Sequence, residues 1–94
     1  MELSITLTEP HKRAELFGAG DRNLRRIREV FTVQIHARNT VVRLSGDPPN
    51  VAKAAAVLER LQESLRGREY LDEALVTEAI ATVDRDEGGP DEGT

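Results

Sequence analysis

Leu16-Phe17-Gly18-Ala19-Gly20-Asp21-Arg22-Asn23-Leu24-Arg25-Arg26-Ile27 is the stretch whose reading decides the fold of this chain. Two apolar residues close one short helical run, glycines at 18 and 20 interrupt it, and an acid then opens a second run. Glycine enters left-handed backbone conformations without steric penalty, so the interruption reads as a tight turn between two helices. Asp21 is expected to be the N-cap of the second helix, its carboxylate accepting from free amides of the first turn. Leu24, Ile27, Val30 and Phe31 then form the apolar stripe of that helix.

Upstream, Leu3, Ile5 and Leu7 alternate with Ser4, Thr6 and Thr8, the period of a half-buried strand, and Glu9-Pro10 closes it. Residues 11–17 make one or two helical turns, with Ala14, Leu16 and Phe17 turned inward. Downstream, period two returns at Val33, Ile35 and Ala37 and again at Val42 and Leu44, with Asn39-Thr40 at the turn of a hairpin. Gly46-Asp47-Pro48-Pro49 ends the sheet and starts the longest helix, for which Asp47 is a cap candidate and Pro48 a first-turn residue. Val51, Ala55, Leu58, Leu61 and Leu65 form its buried stripe, and Gly67 marks its end. A weaker helix over residues 71–83 turns Leu75, Ala79, Ile80 and Val83 to one side. The order strand, helix, helix, strand, strand, helix predicts an α+β layer of three antiparallel strands against helices, with one more helix at the C-terminal end.

Ninety-four residues, 38% of them apolar, suffice for one small core, and with two Phe, one Tyr and no Trp that core is aliphatic. The absence of cysteine excludes disulfides, thiolate metal sites and cysteine nucleophiles. The formal charge of −4 hides an uneven distribution. Residues 1–46 carry eight Lys/Arg and five Asp/Glu, residues 47–83 four and seven, and residues 84–94 one and five. A basic half is therefore followed by an acidic one. From Asp84 onward the composition offers nothing to bury, and residues 84–94 are expected to be a disordered tail or linker after a domain of residues 1–83. No segment is apolar enough to span a bilayer and no basic, apolar leader is legible, so a cytoplasmic location is expected.

The loop and its flanks resemble a K-homology (KH) domain, in which a Gly-x-x-Gly loop between two helices clamps about four nucleotides of single-stranded nucleic acid. The first glycine of the pattern falls on Gly18 and the second on Asp21, so the second glycine is missing. A closer resemblance is to the N-terminal KH-like domain of the PhoH family of ATPases, carried by Phe17-Gly18, Asp21, Asn23-Leu24, Ala37-Arg38 and Leu44-Ser45-Gly46. That resemblance implies a parent protein with a downstream ATPase domain, using ATP and Mg²⁺ in RNA metabolism. It also implies single-stranded RNA and the downstream domain as partners, and a homo-oligomer formed through the parent. No GxxxxGK[ST] phosphate loop occurs in this chain, so no cofactor and no enzymatic activity are assigned to it.

The RNA-binding residues expected are Gly18, Ala19, Gly20, Asp21, Arg22, Arg25, Arg26, Arg38 and Arg43. Amides at the start of the second helix and its positive dipole end suit a phosphate. Arg22, Arg25 and Arg26 share a helix face, Arg28 points elsewhere, and Arg25 is placed to pair with Glu29 one turn on. Arg38 and Arg43, on outward strand positions, extend the basic surface. Asp21 opposes binding, since a capping carboxylate occupies the amides and repels a phosphate. Base stacking is poorly provided for, because Phe17 belongs to the core. His11 and His36 have no partner at metal-ligand spacing, Ser45 and Ser64 no base, and Tyr70 is expected to pack its ring in the turn between the last two helices. The alternative function is a protein-interaction or assembly module that has lost nucleic-acid binding at Asp21.

Overall fold

The computed structural model describes residues 1–86. Three strands form in the expected places: β1 (Glu2–Thr6), β2 (Gln34–Arg38) and β3 (Val41–Ser45). Four α-helices accompany them: α1 (Arg13–Phe17), α2 (Arg22–Phe31), α3 (Pro48–Leu65) and α4 (Glu73–Asp86). The chain order is β1-α1-α2-β2-β3-α3, followed by α4, with single 3-10 turns before α1 and α2. The sheet is antiparallel in the order β1-β3-β2. Asn39, at a φ of 55°, supplies the left-handed step that lets two residues join β2 to β3 with Arg38 opposite Val41.

The sheet order makes β3 central, and burial follows from it. Val42 and Leu44 on β3 are 1% and 0% exposed, whereas Ile35 and Ala37, on the same face of edge strand β2, are only partly covered. The helices close over the middle of the sheet and leave the inner face of β2 half open. The alternate residues, among them His36, Arg38 and Arg43, emerge on the helix-free face.

All five residues of the expected α3 stripe are buried, joined by Ala54 and Val57. On α2, Leu24, Ile27 and Phe31 are buried while Val30 is 47% exposed, so the apolar stripe is narrower than expected. The polar residue Asn23 is buried instead, at 5%. Ala14 of α1 faces solvent, and on α4 the deepest residue is Val76, with Leu75 only half-buried. Both differences reflect helix rotation set by the packing partner, which spacing alone leaves open by about one residue.

Lys12 closes the C-terminal end of α3. Its Nζ donates to the carbonyls of Leu65 (3.1 Å) and Arg68 (2.7 Å) and pairs with Glu9 at 3.3 Å, placing a cation where the helix carbonyls are unsatisfied. Gly67, at a φ of +74°, turns the chain out of the helix as expected. At the other end Asp47 occupies the N-cap position without a side-chain capping bond, and Pro48 follows in the first turn. Tyr70 does not pack into the following connection, its side chain being 66% exposed. Helix α4 runs three residues past the expected stop at Val83, so the expected tail does not begin at Asp84. The rest of that tail, residues 87–94, lies outside the described residues. Among the described residues no helix is long and apolar enough to cross a membrane.

Candidate nucleic-acid interface

The turn between α1 and α2 is built on three left-handed backbones. Gly18 has φ 83° and ψ 169°, a region effectively reserved for glycine, and Gly20 has φ 59° and ψ 30°. Asp21 follows at φ 58° and ψ 31° and makes no side-chain capping bond, which overturns the expected carboxylate cap. A cap residue must be extended for its side chain to reach back to the helix amides, and the turn holds Asp21 left-handed instead. Aspartate is one of the few L-residues that tolerate this conformation. The position where the Gly-x-x-Gly pattern carries its second glycine thus still has a glycine-like backbone, with Asp occupying it.

The amides are also disposed differently from the expectation. The Asp21 N–H donates to the Gly18 carbonyl at 3.0 Å and the Arg22 N–H to that of Ala19, so two donors in the loop are used within it. Asn23 fixes the turn from below: its Nδ2 donates to the Leu16 carbonyl at 3.1 Å, tying the first turn of α2 to the end of α1. Sequence reasoning quoted Asn23 only as part of a resemblance and missed its structural role. A polar amide on the helix that follows a glycine-rich turn, one position before Leu24 of the apolar stripe, was the available signal.

A groove of about 250 Å³ runs beside the loop, lined by Arg13, Gly20, Asp21, Leu24, Arg25, Arg28, Ile35 and Ala37. Leu24, Ile35 and Ala37 supply apolar surface, the last two because β2 is an incompletely covered edge. Three arginines, Arg13, Arg25 and Arg28, and one acid, Asp21, contribute to the lining, and Arg28 also lines a second cleft with Gln34, Ser45 and Asp47. Of the expected residues, Gly20, Asp21 and Arg25 meet in this groove. Arg22 is exposed at the start of α2 outside its lining, as is Ala19. Arg26 turns away, its Nη2 donating to Thr77 Oγ1 of α4 at 3.0 Å. Arg28, expected to point elsewhere, lines the groove. Among the described residues Arg25 makes no ion pair with Glu29.

Arg38 and Arg43 do not belong to this groove. With Ile35, His36, Ala37, Asn39, Thr40 and Val41 they border a larger depression of about 790 Å³ around the β2–β3 hairpin, which shares Ile35 and Ala37 with the groove. His36 lies opposite Arg43 in the register, and Ser4 of β1 is opposite Arg43 on its other side. Strand alternation placed both arginines outward correctly, but the outward face is the one without helices. Among the described residues no group of three His, Asp or Glu side chains is arranged to hold a metal ion.

Asp21→Gly removes a left-handed L-residue and loses no capping bond. It is expected to raise stability by a few tenths up to about 1 kcal/mol, where an N-cap aspartate would give a loss. Urea denaturation of the two proteins checks the sign.

No family model matches this chain, and no curated protein does. Among solved structures, it is similar to a protein of unknown function from Aeropyrum pernix, with a TM-score of 0.66 and 19% identity. The match covers 93% of this chain and 50% of the other, so the present chain corresponds to half the length of that protein. At this identity the likeness shows a shared fold.

Proposed function

We propose that this domain binds single-stranded RNA in the groove between the loop of residues 18–21, α2 and the open edge of β2, as an auxiliary module of a PhoH-type ATPase. The carrying observation is the convergence of Arg13, Arg25 and Arg28 around Leu24, Ile35 and Ala37. Cations that meet phosphates beside an apolar strip that accepts bases are the two elements a single-strand site needs. The β-α-α-β-β-α order and the left-handed backbone at residue 21 agree with the KH resemblance. ATP and Mg²⁺ belong to the parent's ATPase domain in this reading, and the RNA is presented to that domain from here.

The test is anisotropy titration of a labelled uridine 12-mer at several salt concentrations. Phosphate contacts by Arg25 and Arg28 predict that affinity falls with salt at a logarithmic slope of about −1.4. Arg25→Glu with Arg28→Glu is expected to weaken binding at least ~30-fold at low salt, with the fold preserved because both side chains are exposed. Arg38→Glu with Arg43→Glu changes the net charge equally on the helix-free face and is expected to weaken it only ~2- to 3-fold. Equal losses from the two pairs would overturn the groove as the site. Absence of binding by the unaltered protein would overturn the RNA reading and leave the assembly role.

A further inference from the structure

Arg13 opens α1, and its Cζ lies 4.9 Å from the centroid of the Phe17 ring, over that ring. Phe17 is 3% exposed, whereas Arg13 is half-buried and lines the groove, so the guanidinium separates the ring from the groove. The Nε of Arg13 is buried and has no hydrogen-bond partner, and among the described residues no carboxylate pairs with the group. Its orientation is therefore set by the ring beneath it. A guanidinium is flat and delocalised, and here its Nε end is enclosed against the ring while its Nη end is not among the buried atoms, which leaves that end for the groove.

The groove has no aromatic ring in its lining. Phe17 and Phe31 are both 3% exposed, and Tyr70, the remaining aromatic residue, is not part of the lining. Single-stranded nucleic acids are held by stacking bases on aromatic rings or on arginine planes, and of the three lining arginines Arg13 is the one seated against an aromatic ring. We propose that Arg13 is the base-stacking platform of this site. A nucleobase lies on the guanidinium face turned away from Phe17, completing a three-layer stack, while Arg25 and Arg28 take flanking phosphates. This inference rests on the RNA reading of the groove and assigns the base contact within it.

Lysine separates plane from charge, since Arg13→Lys keeps the cation and loses the flat face. The experiment measures binding of an adenosine 12-mer and of the matching base-free ribose-phosphate 12-mer to the unaltered protein and to Arg13→Lys. The substitution is expected to weaken the adenosine oligomer roughly fivefold to tenfold, with its salt slope unchanged, and to leave the base-free oligomer within about twofold. A second readout needs no substitution: the Nε–H resonance of Arg13 in the ¹⁵N-labelled protein is expected to move upfield, by ring current, with the adenosine oligomer and not with the base-free one. Equal affinities of the two proteins for the adenosine oligomer, equal losses on both oligomers, or an unmoved resonance would overturn the platform while the RNA reading stands. Failure of the unaltered protein to bind either oligomer would remove both.

Discussion

Gly18→Ala is expected to lower the stability of the domain by about 2–4 kcal/mol, and its melting temperature by roughly 10–20 °C. Two independent costs combine at this position. The backbone, at φ 83° and ψ 169°, lies where an L-residue is strained by about 1–3 kcal/mol. A Cβ there would also stand 3.0 Å from Asn23 Nδ2 and 3.1 Å from its Cγ. Asn23 cannot give way easily, being 5% exposed and bonded to the Leu16 carbonyl at 3.1 Å. Gly20→Ala separates the two costs. Its φ of +59° is also left-handed, but the nearest atom to the added Cβ is Arg25 Nη2 at 3.9 Å, the end of a flexible side chain. A loss of about 1 kcal/mol is expected there. Thermal melts of both variants check the difference, and equal losses would show that backbone strain alone governs the turn.

Asn23→Asp is expected to cost about 2–4 kcal/mol at neutral pH despite its near-identical shape. The substitution replaces the amide donor by a second acceptor facing the Leu16 carbonyl, and burial denies the new carboxylate its water. Both effects disfavour the charged form in the folded protein, so its folded-state pKa is raised above the unfolded one. The loss is therefore full above that folded-state pKa and shrinks as pH falls through it, where the protonated carboxyl can donate to Leu16 again. Urea midpoints of the variant relative to the unaltered protein, followed from pH 7 to pH 4, provide the measurement. Asn23→Ala loses the same hydrogen bond but clears the space beneath Gly18. The pair Gly18→Ala with Asn23→Ala is accordingly expected to cost less than the sum of its parts.

Local periodicity determined the elements and their order. Leu3, Ile5 and Leu7, the pairs around Asn39-Thr40, and the stripe from Val51 to Leu65 each carry their own period, and strand or helix follows from it without reference to distant residues. The glycines at 18 and 20 likewise dictated a turn, because the helix could not pass through them at low cost. Tertiary structure decided which side of each element mattered. Arg13 and Arg28 are 15 positions apart and meet only because the turn at Gly18 folds α1 against α2 and sets both beside the open inner edge of β2. Arg26, one residue from Arg25, is diverted by Thr77 on a helix whose docking no spacing within α2 encodes. Asp21 shows the same division at a single residue. Its side chain favours an N-cap, but the turn imposes a left-handed backbone, and the carboxylate of a residue so placed does not reach the helix amides.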